Sequence, residues 1–88
     1  MSAAEAKLFA MAINEIRSLV GCVAGNDSPY ELRLAWRLAY ALHNDAFAVV
    51  EGRSFNLEAS LSRVAEIDGL LGGNDGRRIA DEMRQAIS

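Results

Sequence analysis

Residues 28–51 read SPYELRLAWRLAYALHNDAFAVVE, and this stretch decides the fold class. Ser28 is placed to cap a helix, Pro29 sits where a missing amide hydrogen costs nothing, and Glu31 completes a capping box. The spacing predicts a helix from about 29 to 51. At 100° per residue its polar arc is narrow, made of Arg33, Arg37, Asn44 and Glu51. Nearly all the rest is apolar. A helix this widely apolar must be central and touch more than one neighbour.

Working outward, Ser2-Ala3-Ala4-Glu5 is a second capping box. Phe9, Ile13, Ile16, Val20 and Val23 follow at spacings of three and four, with Leu8, Ala12 and Leu19 widening the stripe. Lys7, Asn14, Arg17 and Ser18 lie opposite, so an amphipathic helix over 3–23 with its stripe inward is expected. Gly25 is placed to end it. Beyond the second helix, Gly52-Arg53-Ser54-Phe55-Asn56 is a break, and Asn56 can cap a third helix over 57–71. Its stripe is Leu57, Leu61, Val64, Ile67 and Leu71. Gly72-Gly73 stops it. Asn74 or Asp75 caps a fourth helix over 75–87, with Ile79, Met83, Ala86 and Ile87 inward and the pairs Arg77–Asp81, Arg78–Glu82 and Asp81–Arg84 on its surface. The expected architecture is all-α, a compact four-helix bundle in a single domain over 1–88, with sequential helices antiparallel. Gly25-Asn26-Asp27 and Gly73-Asn74-Asp75 repeat before the second and fourth helices, which is ordinary turn and cap chemistry.

Composition narrows the function. Eighty-eight residues bury only about 60–65% of their unfolded surface, which leaves little room for a deep substrate cavity. The net charge of −3 is spread along the chain and forms no basic stripe, so nucleic acid is disfavoured as a partner. No apolar run approaches the roughly 18 residues of a membrane span, and LFAMAI is no signal peptide. A lone cysteine, Cys22, fits a reducing compartment, and a cytoplasmic location is expected.

Candidate chemistry is sparse. Cys22 and His43 are the only residues of their kinds, and Cys22 among Val20, Val23 and Ala24 reads as a small buried hydrophobe. His43 and Asp45 stand two apart on a helix and do not face each other. One Cys and one His cannot build a thiolate–imidazole metal site. GLLGGNDG lacks the preceding strand and the following Lys-Ser/Thr of a phosphate loop. No enzyme, cofactor or metal is expected. Trp36, Tyr40, His43 and Phe47 share a band about 60° wide beside Arg33 and Arg37. Two readings stand open: core aromatics of a small bundle, or exposed anchors for a partner, since Trp, Tyr and Arg dominate interface hot spots. Glu51, Arg53 and Asp68 cluster at chain breaks and helix ends and join the candidate partner-binding set. Asp45, flanked by Leu34 and Leu38, must face water, meet an Arg of another segment, or await one from a partner.

The chain also resembles a family. RLAWRLAYAL on a long central helix, the break at EGRSFN, the helix ASLSRVAEIDGLL, the acidic turn GGND and the closing helix IADEMRQAI resemble the layout of small all-helical immunity proteins of type VI secretion toxins, in particular those that neutralise NAD-degrading effectors. The resemblance spans roughly residues 34–86. It implies an inhibitor that binds a cognate bacterial toxin and blocks its active site with polar and aromatic side chains. The alternative is a helical module without a toxin partner: a self-associating structural or regulatory adaptor, a homodimer included, or a phage-encoded inhibitor.

Overall fold

The computed structural model describes residues 3–22, 27–69 and 73–87. Among these the chain forms four α-helices and no strand: α1 Ala3–Gly21, α2 Tyr30–Glu51, α3 Leu57–Ala65 and α4 Asp75–Ile87. The fold is the all-α four-helix bundle. Ser2, Gly25 and Leu71, to which the sequence assigns a cap, a stop and a core position, lie outside the described residues. α1 packs chiefly on α2, α3 packs on α4, and α2 bridges to α3, so α2 is the central element. The bundle is flat, 38 × 27 × 16 Å along its principal axes.

α2 begins one residue later than expected, with Pro29 and not Ser28 in the cap position, so the expected side-chain cap is replaced by a backbone one. The Pro29 carbonyl accepts the amides of Leu32 and Arg33, both at 3.1 Å. The helix stops at Gly52, whose φ of 75° is left-handed and favours glycine. At that turn the Arg53 amide donates to the Ala48 carbonyl at 2.7 Å, satisfying a carbonyl the helix end leaves open.

α3 starts as the sequence predicts, with the Asn56 side chain accepting from the Ala59 amide at 3.0 Å. It ends at Ala65, six residues short of the expected 71. The amides of Glu66, Ile67 and Gly69 each bond three residues back. This tighter winding turns two consecutive residues, Ile67 and Asp68, into the interior. Asp68 is 4% exposed and its Oδ2 accepts the Gly76 amide at 2.8 Å. The first turn of α4 is therefore capped by an acid from the preceding segment. Gly76 in turn lies against the last carbonyls of α3: a Cβ there would stand 2.7 Å from the Val64 oxygen. Tyr30 closes the same corner, its hydroxyl donating to Asp75 at 2.8 Å and linking the start of α2 to the start of α4.

Between α2 and α3 stands a charged clasp. Asp45 Oδ2 accepts from Ser60 Oγ and from Arg63 Nη2, both at 2.6 Å. Arg63 Nε also donates to the Ala41 carbonyl at 3.0 Å. The acid on the apolar side of α2 has met an arginine of another segment, the second of the three outcomes the sequence left open.

Two helices are rotated relative to expectation. On α1 only Ala10 is buried, while Phe9 (57% exposed), Ile16 and Leu19 (62%) face outward. Asn14 and Arg17, expected in water, turn inward, and both amide atoms of Asn14 and Nε of Arg17 find no hydrogen-bond partner among the described residues. The reason is steric. Ala10, the buried residue of the helix, and Gly21 form a seam of small residues that lets α1 approach α2 closely. Gly21 lies so near Trp36 that a Cβ would stand 2.8 Å from the indole nitrogen. On α4, Gly76 and Ala80 are the buried pair, Ile79 and Met83 are half-buried, and Ala86 and Ile87 are exposed. Of the expected surface pairs Arg78–Glu82 forms, at 3.1 Å; Arg78 also bonds Asp75, and Arg84 reaches across to Glu58 at 2.6 Å. The buried apolar core among the described residues is Ala10, Ala39, Ala46, Ala48, Leu61, Val64, Ile67 and Ala80. Five of these eight are alanine, so the core is thin.

Candidate protein-binding site

Trp36, Tyr40, His43 and Phe47 of α2 stand in unbroken ring contact. Trp36 and Tyr40 have centroids 5.3 Å apart, Tyr40 and His43 4.8 Å, and His43 and Phe47 6.5 Å edge to face. The Arg37 guanidinium lies 5.3 Å from the centre of the Trp36 ring, within cation–π range. The row runs about 16 Å along the helix at 1.5 Å per residue. It is anchored at one end and open at the other. Trp36 is half-buried against Gly21 of α1, whereas Tyr40 is 49% and Phe47 44% exposed.

Local geometry holds His43 in one pose. Its Nδ1 is 2.6 Å from the Tyr40 carbonyl oxygen, which can only accept, so Nδ1 carries a proton and donates. The ring is thereby fixed between Tyr40 and Phe47, and little side-chain freedom remains to be lost on binding.

The flanks are charged. Arg33 and Arg37 stand beside the first turns of the row. Glu51 lies one turn beyond Phe47 on the same side of α2 and pairs with Arg53 at 3.0 Å in full view of solvent. Next to Tyr40 a cleft of about 270 Å³ opens between α2 and α3, lined by Arg37, Tyr40, Ala41, Arg63, Glu66 and Ile67. Arg63 and Glu66 at this edge carry no sequence signal, because only the packing of α3 beside α2 brings them there. Of the residues the sequence singles out, Trp36, Arg37, Tyr40, His43, Glu51 and Arg53 share this face. Asp68 does not. As the buried cap of α4 it offers nothing to a partner, a correction to its place in the candidate set.

Cys22 is exposed rather than buried. Among the described residues no group of three His, Cys, Asp or Glu is placed to hold a metal ion, and no helix is long and apolar enough to cross a membrane. No protein-family model, curated protein or solved structure matches the chain.

Proposed function

We propose that this chain is a protein-binding module whose docking face is the aromatic row of α2. In its specific form it is an immunity protein that binds a cognate bacterial toxin in the cytoplasm and blocks its active site. It does no chemistry and needs no cofactor. The observation that carries the binding reading is the continuous, half-exposed row Trp36–Tyr40–His43–Phe47 with Arg37 stacked on its anchored end. Rigid aromatics beside arginine are the side chains that concentrate binding energy in interfaces. The flanking Arg33 and Arg37 suit an acidic rim on the partner. The toxin as partner rests on the resemblance carried by residues 34–86.

The test is a capture experiment with tagged protein and lysate of the source bacterium grown with its secretion systems expressed. The wild type and the double variant Arg37→Ala/Tyr40→Ala are run side by side. A stoichiometric partner bearing a toxin-like domain, retained by the wild type and lost by the variant at unchanged Tm, is the expected result. A toxin retained equally by both moves the docking face elsewhere, and a stoichiometric partner without such a domain overturns the immunity form of the reading.

A further inference from the structure

On the other side of α2, about 140° from the aromatic row by helical geometry, lies a second surface of opposite character. It is an apolar groove of about 300 Å³ between the α1/α2 pair and the α3/α4 pair, with Phe9, Ile13, Leu42, Val49, Leu61 and Met83 among its walls. Phe55, Leu57 and Ile87 stand at its edges and remain exposed. It continues without a break onto the outward face of α1. There the arc from Leu8 through Leu19, Ala12, Ile16, Phe9 and Val20 to Ile13 contains one charged residue, Glu5 at its N-terminal end.

We infer that a second copy of this chain covers this face, so that the folded protein is a homodimer joined through α1 and the groove. Three observations argue for this occupant. The first is area. A 9.5 kDa monomer is expected to expose about 5,050 Å². This chain exposes 5913 Å². The excess, roughly 850 Å², matches the ~800 Å² each partner contributes to a standard interface. The second is the thin, alanine-dominated core of the described residues. A chain with so little large apolar volume inside gains stability from an occupant, and another copy is the one partner present wherever the chain is. The third is charge. The groove's single charged lining residue, Asp45, is already held by Ser60 and Arg63. The face is close to neutral, so two copies meet without like-charge repulsion, and nothing on it selects a charged foreign partner. A two-fold pairing satisfies this, since the same patch serves both subunits. The aromatic row stays clear of the interface and is displayed twice per dimer.

The test is molar mass by light scattering and sedimentation from low to high micromolar concentration. The expected mass is twice 9.5 kDa, falling toward the single value on dilution. The double variant Phe9→Glu/Ile16→Glu is expected to lose the doubled mass, while Tyr40→Ala keeps it. A second readout does not depend on that variant folding. In a Cys22→Ser background, Ile16→Cys is labelled with a maleimide across the same concentrations, with Asn44→Cys as the control. Labelling at Ile16→Cys slows as the dimer forms and labelling at Asn44→Cys does not. A single-chain mass at every concentration overturns the inference, and so does a dimer in which Ile16→Cys reacts at a constant rate.

Discussion

At the residue scale, the polar groups inside the bundle decide more than the apolar ones. Asp45 is the sharpest case. Its carboxylate is 13% exposed and takes two hydrogen bonds from α3. Deleting it takes the 2.6 Å charged acceptor from the buried Ser60 hydroxyl and from Arg63, which keep the Asn56 and Ala41 carbonyls. Hydrogen bonds to charged groups contribute about 1.5–3 kcal/mol, so Asp45→Ala is expected to lower unfolding free energy by about 2 kcal/mol in a urea titration. An unchanged midpoint would show the clasp to be ornamental. Asn14 runs the other way. Both amide atoms are buried without a partner among the described residues, an arrangement that costs about 1–3 kcal/mol. Asn14→Ala removes the cost, extends the small-residue seam of α1 and improves helix propensity, so a gain of about 1 kcal/mol is expected by the same titration. Asp45 is legible in the sequence as an acid among leucines that needs a cation. Asn14 is not, because the stripe of larger side chains beside it points the other way.

At the element scale, helix existence is readable from the sequence and helix orientation is not. The caps at Asn56 and Gly52 sit where the sequence puts them, since capping is chemistry local to a few residues. The length of α3 and the facing of α1 and α4 depend on what each helix meets, and no periodicity carries that. The α3–α4 corner shows how the contacts take over. Gly76 faces the Val64 and Ala65 carbonyls at 2.7 and 3.0 Å from where a Cβ would be. Gly76→Ala in a free helix gains about 1 kcal/mol, but here backbone oxygen must move. The expected net is a destabilisation of about 1–3 kcal/mol, the usual cost of overpacking, seen as a lower Tm. The same corner sets a pH response. The hydrogen bond to Asp75 and, next, partial desolvation push the Tyr30 hydroxyl up to about 12. The unfolded chain ionises Tyr near 10, so above that pH the folded state holds one proton more and stability falls as pH rises. The loss is expected between about 10 and 12. Tyr30→Phe should flatten that part of the stability–pH curve, and an identical slope in the variant would assign it to other groups.

At the scale of the whole molecule, α2 presents two faces of opposite character, an aromatic row and an apolar groove. The aromatic row is legible in the sequence as a stripe at helical spacing, although spacing alone does not choose between core and surface. The fold answers with both: Trp36 is the anchored end and Tyr40 and Phe47 the open one. The groove on the far side has no such signature, because it exists only where two helix pairs fail to close over each other and α1 turns its large residues outward. If a second copy closes it, folding and association are one equilibrium, and thermal stability must follow protein concentration. Each tenfold rise in concentration adds about 1.4 kcal/mol per dimer, or about 0.7 kcal/mol per chain. A domain of this size gains about 4–8 °C per kcal/mol, so Tm is expected to climb about 3–6 °C per tenfold. Calorimetric or circular-dichroism melts across two decades of concentration measure this directly. The Phe9→Glu/Ile16→Glu variant should melt lower and at a temperature that no longer depends on concentration. A wild-type Tm that stays fixed over those decades means the lone chain is the unit that folds, and its exposed α1 face then belongs to no second copy.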